Sequence, residues 1–392
     1  MASPAQVDFF SSARITGIMQ GLTDPRLLPV PLTWNARVPD VPSVDEEISA
    51  KYVGTLLIAD IIADDEKAVT YSQGRFQFQT TQVPNIKMGL AMNQAMINAL
   101  QRIKALGGAA GADDVGFFGD RWNKNVQDVK YGVELRKEVL KIAMLVDGLS
   151  YDRLGIKMSN VTFGMYTDLK VTPGTAWSST AGTGLTDIQN LRQVAQQRYG
   201  INLNRATMST PALRALVAQT EFQAQIKNVY LQQLLGGPTP VAPLQGDPFL
   251  KRLGELVIAG VGEPFVIELD DRRYWSQAST GAITDNRFHP ISTVLLTATG
   301  NDGNANAYDF ANCPVTEGII GSMFPSSVMG QVAQGRGPIG YTTLADAALN
   351  PPGTITWGVA RGMPRKHQNQ SSAILNVGTL TETFNTAVPA IL

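Results

Sequence analysis

With 392 residues, 44% hydrophobic and 17% charged, the chain is long enough for two or three domains with packed cores. A net charge of −1, without any run of Lys or Arg, excludes the clustered basic footprint of a dedicated nucleic-acid binder. Cys313 is the only cysteine, which excludes an internal disulfide and a thiolate metal cluster; a lone Cys fits a reducing compartment and reads as a small buried hydrophobe.

The low charge fraction fits a surface largely covered by neighbouring subunits, although an ordinary neutral globular protein can share it. The opening MASPAQVDFF lacks a basic stretch followed by an apolar one, and no window approaches the roughly 18 apolar residues of a membrane span. A protein without secretory signal, outside the membrane, is the expectation.

Residues 1–45 read as an irregular arm. Pro25, Pro29, Pro31, Pro39 and Pro42 oppose regular helix and withhold ladder donors. The arm also carries Leu27, Leu28, Val30, Leu32 and Trp34, which a polar linker would not. These side chains need cover, either from a neighbouring subunit or from the arm's own domain. Residues 53–64 form an apolar run of strand length, and Tyr71, Phe76 and Phe78 alternate with polar residues. Together they predict a long two-stranded excursion, which is marginal in water without further partners.

Helix is predicted over 91–106 from Met92, Met96, Ala99, Leu100 and Ile103, stopping at Gly107-Gly108. The clearest element is a helix over 120–147. Trp122, Val126, Val129, Val133, Leu140 and Met144 make one apolar row, and Leu135, Val139, Ile142 and Val146 make a second. Asp120 is its expected N-cap and Gly148 its expected C′ residue. Glu134 with Lys137, and Glu138 with Lys141, read as i,i+3 pairs on its polar side. Such a helix is roughly 40 Å long.

Residues 161–171 read as strand, and the Gly/Ser/Thr-rich stretch after them as a domain crossing. An α/β pattern follows: a helix capped by Thr186 or Asp187 and ending at Gly200, a strand at 205–209, and a helix opened by Thr210 as N-cap with Pro211 behind it. Further helix is expected over 221–235. Strands are expected at 255–259, 265–269 and 292–298, and again in the tail at TITWGVA and SAILNV.

Catalytic chemistry is thinly represented. His289 and His367 are the only histidines, and neither stands in a triad or metal motif. Asp64-Asp65 and Asp270-Asp271 are adjacent pairs whose side chains point apart on a strand, so they read as solvated turn charges. The GNDG at 300–303 lacks the remaining positions of an EF-hand, and no Gly-Lys-Ser/Thr follows the glycines at 335 and 337. No catalytic, cofactor or metal residue is assigned.

The order of parts resembles the Hong Kong 97-type capsid fold: proline-rich arm, long hairpin, long helix, inserted α/β domain, terminal return to strands. The stretches at 59–89 and 174–216 are similar to tailed-bacteriophage major capsid proteins grouped with the lambda head protein. In that group a Gly-Thr-x-Trp-Ser segment precedes a helix, then an Asn-Arg-x-x-Met strand. Here those are Gly174, Thr175, Trp177 and Ser178, then Asn204, Arg205 and Met208.

The resemblance implies an α+β subunit with residues 1–45 as N-arm and 46–90 as E-loop with flanking strands. Residues 91–180 become a peripheral (P) domain with spine helix 120–147, 181–349 an axial (A) domain, and 350–392 returning P-domain strands. It implies a non-enzymatic, cofactor-free shell protein of the virion, assembled in the bacterial cytoplasm as pentamers and hexamers. The shell would enclose double-stranded DNA without sequence readout, with a separate scaffold or none, and with portal and decoration proteins as possible partners. Some members of the wider fold crosslink a Lys to an Asn; Lys67 and Lys87 lie in the E-loop, yet no pattern places either at such a bond, and no crosslink is expected. Two other readings stand beside this one: an encapsulin-type compartment housing cargo enzymes, and an enzyme of unrecognised type working through His289 or Asp270.

Overall fold

A computed structural model describes residues 32–43, 50–53, 75–78, 83–91, 98, 112–153, 156–224, 251–257, 264–277, 283–301, 306–315, 335–336, 339–346 and 353–380. Along the chain, helix α1 (Thr33–Arg37) leads into strands β1 (Asp40–Pro42), β2 (Ala50–Val53), β3 (Arg75–Phe78) and β4 (Asn85–Ala91). Helix α2 (Ala112–Leu145) precedes β5 (Leu149–Arg153), β6 (Ile156–Val161) and β7 (Lys170–Val171). Then come α3 (Gly184–Tyr199), β8 (Arg205–Met208) and α4 (Thr210–Val217). The remaining strands are β9 (Lys251–Val257), β10 (Pro264–Leu269), β11 (Arg273–Gln277), β12 (Ile283–Arg287), β13 (Thr293–Thr297), β14 (Tyr308–Val315), β15 (Gly335–Arg336), β16 (Ile339–Asp346), β17 (Gly353–Lys366) and β18 (Ser372–Asn376).

Two six-stranded sheets dominate. In the first, β17 is flanked by β14 and β16 and also pairs with β4, while β1 adds to β14 in parallel and β15 pairs with β14. The second runs β7-β18-β13-β8-β10-β9. Every residue of β8 and of β13 is buried, so both faces of this sheet's centre are covered. Hairpins β2–β3, β5–β6 and β11–β12 are separate two-stranded sheets. Sheet membership cuts across the segments expected from sequence: β14 and β16, from within 181–349, join β17, and β18 joins the sheet built from residues 205–297.

Helix α2 links two cores. Val133 and Leu140 pack with Ile86, Phe310, Ala360 and Met363 against the first sheet. Ile142, Met144 and Leu145 join a larger cluster with Trp177, Ile188, Leu216, Leu295 and Leu375. Both apolar rows read from the sequence are therefore in use: Val133 and Leu140 of the first meet the smaller core, while Met144 of the first and Ile142 of the second meet the larger.

Helix α2 starts before the expected Asp120, which is an interior residue rather than a cap. Gly116 and Gly119, each worth about 1 kcal/mol against helix relative to Ala, do not break it, because packing from Trp122 onward carries the element. At its other end Gly148 N–H donates to Ala143 O and Asp147 N–H to Met144 O, the crossed pair of a Schellman turn. The left-handed residue is Asp147, at φ 54°, not Gly148. Its carboxylate accepts from the Phe163 and Met165 amides and pairs with Lys170, which offsets the cost of that conformation.

Four further expectations shift. Residues 162–169 are irregular and 3₁₀ rather than strand. The stretch expected as a crossing is tied into the core: Trp177 has no exposed surface, and its indole donates to Asp187 Oδ2 at 3.0 Å. Helix α3 is capped not by Thr186 or Asp187 but from α4's end of the chain, where Gln219 Oε1 accepts from Gly184 N–H and Glu221 from Leu185 and Thr186. The N-cap of α4 is Ser209, accepting from Ala212 N–H at 3.2 Å, one residue before the expected Thr210. Gly200 closes α3 in the left-handed region at φ 68°, as expected. The helices expected at 91–106 and 221–235 lie largely outside the described residues; within them Ala91 ends strand β4, Asn98 is helical, and residues 220–224 are helical.

Candidate functional site

The densest concentration of chemistry is where residues 32–43 meet α2 and β10. Trp34 and Val38 are fully buried, so this part of the arm finds its cover on the chain itself. Between Pro31 and Pro39 there is room for one helical turn, α1, before the chain extends into β1. Glu138 meets α1's free amides, accepting from Trp34 N–H at 2.9 Å and Asn35 N–H at 2.6 Å. A carboxylate at a helix N-terminus satisfies orphan donors and complements the dipole.

Charged side chains complete the attachment. Arg37 forms a two-pronged pair with Glu268 at 2.8 and 3.1 Å, and Arg205 Nε stands 3.4 Å from the same carboxylate. Arg272 grips Asp270 through two nitrogens at 2.7 and 2.8 Å and reaches Glu138 at 2.8 Å. Burial works against the Arg272 charge, yet Asp270 and Glu138 hold its pKa above the ordinary value. Lys141 donates to Val38 O at 2.8 Å and Asp40 at 2.7 Å, and Lys137 to Asp40 at 3.0 Å. Burial alone would raise the Asp40 carboxyl; Lys141 and Lys137 hold it below 3.8.

The polar-side reading of α2 is thereby corrected. The Glu134–Lys137 pair exists at 3.2 Å, but Lys137 is buried; Glu138 and Lys141, also buried, take partners from distant segments. The helix period showed which residues share a face, but not that carboxylates and cations from 97 to 134 residues away would meet them.

The solvated reading of Asp270 is corrected too, since it is fully buried against Arg272. Asp271 caps Thr210 N–H and pairs with Arg287, so the two neighbours do serve separate partners. His289 has no exposed surface; its Nε2 bonds Thr293 O at 2.7 Å, and burial pushes its pKa down. His367 pairs with Asp309 at 3.1 Å, beside Arg365 on the same carboxylate. Cys313 is buried in the first core. Lys87 lies over the Trp357 ring at 4.3 Å. Asp64, Asp65 and Lys67 lie outside the described residues. Among the described residues, no three His, Cys, Asp or Glu converge as a metal site. No helix there is long and apolar enough to cross a membrane.

Hairpin β11–β12, absent from the sequence reading, presents the one large aromatic exposed among the described residues, Trp275 at 54%. Trp275 stands opposite Asp285, which pairs with Arg273; on the other face Tyr274 packs against Phe288. The RRYWSQ run carries too much charge to read as strand.

No family model matches the chain, and no curated protein sequence matches it. Solved structures do. The chain is similar to a candidate prophage capsid protein of E. coli CFT073, at 12% identity and a TM-score of 0.55, across 94% of this chain and 99% of that one. It is also similar to a phage-related protein of Bordetella bronchiseptica RB50, at 10% identity and TM-score 0.46, over 93% and 95% of the two chains. A third similarity is to the SrpI encapsulin of Synechococcus elongatus PCC 7942, at 10% identity and TM-score 0.40, over 94% of each chain. The first likeness establishes the fold, which is mixed α+β of the Hong Kong 97 type.

Proposed function

We propose that the chain is a major capsid protein, a structural subunit that closes with copies of itself into the icosahedral head of a tailed bacteriophage. The observation that carries this reading is the end-to-end likeness in fold to the prophage capsid protein, over 94% of this chain. Ribbons that stand as separate two-stranded sheets among the described residues support it, because a ribbon of that kind gains stability from packing against something else. Exposed Trp275 supports it as well, since Trp beside Arg is the composition of interface hot spots.

On this reading residues 1–45 are the N-arm, 46–90 the E-loop, and 91–180 with 350–392 the P domain. Residues 181–349 are the A domain, except that β14 and β16 join β17 and that β18 joins the sheet of β8, β10 and β13; α2 is the spine helix. Pentamers and hexamers form the shell, with scaffold, portal and decoration proteins as separate chains. The shell contains double-stranded DNA, and a net charge of −1 favours weak contact without sequence readout. The role is structural rather than catalytic: His289 is sealed from solvent and Asp270 is committed to Arg272.

Electron microscopy of the purified chain, with sedimentation velocity alongside, tests the proposal. Closed shells, or rings of five and six, are expected. A monomer or dimer that stays so at high concentration, with or without scaffold, would overturn it.

A further inference from the structure

We propose that the crossing between the two sheets is a proton-operated latch: the neutral amine of Lys366 ties both sheets to the end of α2, and proton uptake there frees the crossing while both cores stay folded. Strand β17 of the first sheet ends at Lys366, and β18 of the second begins at Ser372. Lys366 Nζ donates to Ser372 Oγ at 2.7 Å, and Ser372 Oγ donates at 2.9 Å to the carbonyl of Leu145, the last residue of α2. One side-chain relay thereby joins a strand of each sheet to the helix that packs in both cores. At the start of the crossing His367 N–H and Gln368 N–H both donate to Ala307 O. The latch belongs to the single subunit and does not depend on the shell reading.

The surroundings suit an amine better than an ammonium ion. Lys366 is 4% exposed, and its hydrogen bond goes to a hydroxyl rather than a carboxylate. A charge held there would lose its hydration without gaining an ion pair. The neighbouring charges do not compensate. Asp147, just past α2, is already committed to Lys170 of β7 and to the Phe163 amide, and Lys170 itself opposes a charge on Lys366. On β14, Tyr308 stands opposite Lys366, while the flanking Arg365 and His367 both pair with Asp309. Opening the crossing puts the amine in water, where it takes a proton from solvent; closing expels that proton again. Between the ordinary lysine value of 10.5 and the closed joint's value of about 7, each unit of falling pH therefore favours the open joint about tenfold. The gain levels off below about 7, where the closed joint is protonated as well.

Hydrogen exchange of the full-length chain, resolved to single amides and corrected for intrinsic rates, measures the opening. The amides of Asp147, Gly148, His367 and Gln368 report the joint, and those of β8 and β10 report the second core. The joint amides are expected to open more readily than the β8 and β10 amides at every pH. Their opening constant should rise about tenfold per unit as pH falls from about 9 to 7.5, and this slope should vanish in Lys366→Met. Joint amides that open only together with β8 and β10, or a slope that survives in Lys366→Met, overturn the latch. Should Lys366→Met fail to fold, Ser372→Ala takes its place, because it breaks the relay and leaves the lysine. That variant is expected to raise the joint's opening constant about fivefold at pH about 9, with β8 and β10 unchanged. Joint amides as protected as in the wild type would overturn the proposal.

Discussion

Arg272 reaches Glu138 at 2.8 Å, joining the chain just after β10 to the middle of α2 at a point where both side chains are buried. The same carboxylate holds the start of α1, so one residue fixes three elements relative to one another. Two buried charges favour stability only when geometry and additional hydrogen bonds compensate their desolvation. Here Glu138 has three N–H donors, and Arg272 has a second carboxylate in Asp270.

Removing one partner should therefore be costly. Glu138→Ala leaves the Trp34 and Asn35 amides without their acceptor, and a loss of about 3–5 kcal/mol is expected. Urea denaturation of the subunit measures it. Arg198→Ala is the contrast: that side chain is 65% exposed beside Asp168, and the expected loss is below about 1 kcal/mol. Equal losses in the two variants would contradict the anchoring role of Glu138.

A second prediction concerns pH. Lys366 is buried, donates to Ser372 Oγ at 2.7 Å, and its pKa is pushed down to about 7 by burial, only partly countered by Asp147. The unfolded chain then binds one more proton than the folded one between about 7 and the ordinary 10.5. The associated stability is fully present above 10.5 and is lost as pH falls through 7. The denaturation midpoint should rise with pH across that window, and Lys366→Met should flatten the rise. Parallel profiles for the two proteins would show that Lys366 is charged when folded.

Packing of the first sheet gives a third. A Cβ at Gly362 would lie 2.4 Å from the Phe310 ring and 2.5 Å from Ala311 O. The backbone oxygen cannot swing aside, so Gly362→Ala should cost about 1–3 kcal/mol through overpacking. Thermal denaturation checks this, and an unchanged midpoint would mean that β14 and β17 can separate locally.

Much of this architecture was legible in the chain. The α2 rows, the Gly200 stop and the strands near 205, 265 and 293 all follow from periodicity and capping chemistry. What was not legible depended on distant partners. Lys137, Glu138 and Lys141 read as i,i+3 pairs on the polar side because a helix pattern carries no record of Asp40 or Arg272. Hairpin β11–β12 was missed because charged residues interrupt its alternation; only the pairing of Trp275 with Asp285 makes it visible. Asp147 took the left-handed position assigned to Gly148 because the Phe163 amide and Lys170 reward its carboxylate there.

That hairpin yields a fourth prediction. Trp275→Ser removes an exposed side chain, so subunit stability should change by less than about 0.5 kcal/mol. If Trp275 anchors a contact between subunits, a loss of about 2 kcal/mol per interface raises the concentration needed for assembly more than about tenfold. Light scattering during assembly measures it, and an unchanged threshold would place the interface elsewhere.

The most direct test of the shell reading is to separate particles from an infected or induced host by density and to identify the protein and contents of each band. The account predicts DNA-filled icosahedral particles whose principal protein is this chain, with the DNA protected from nuclease. Particles of the same chain filled with a cargo protein and no DNA would contradict the phage role, and its absence from every particle band would contradict the shell role altogether.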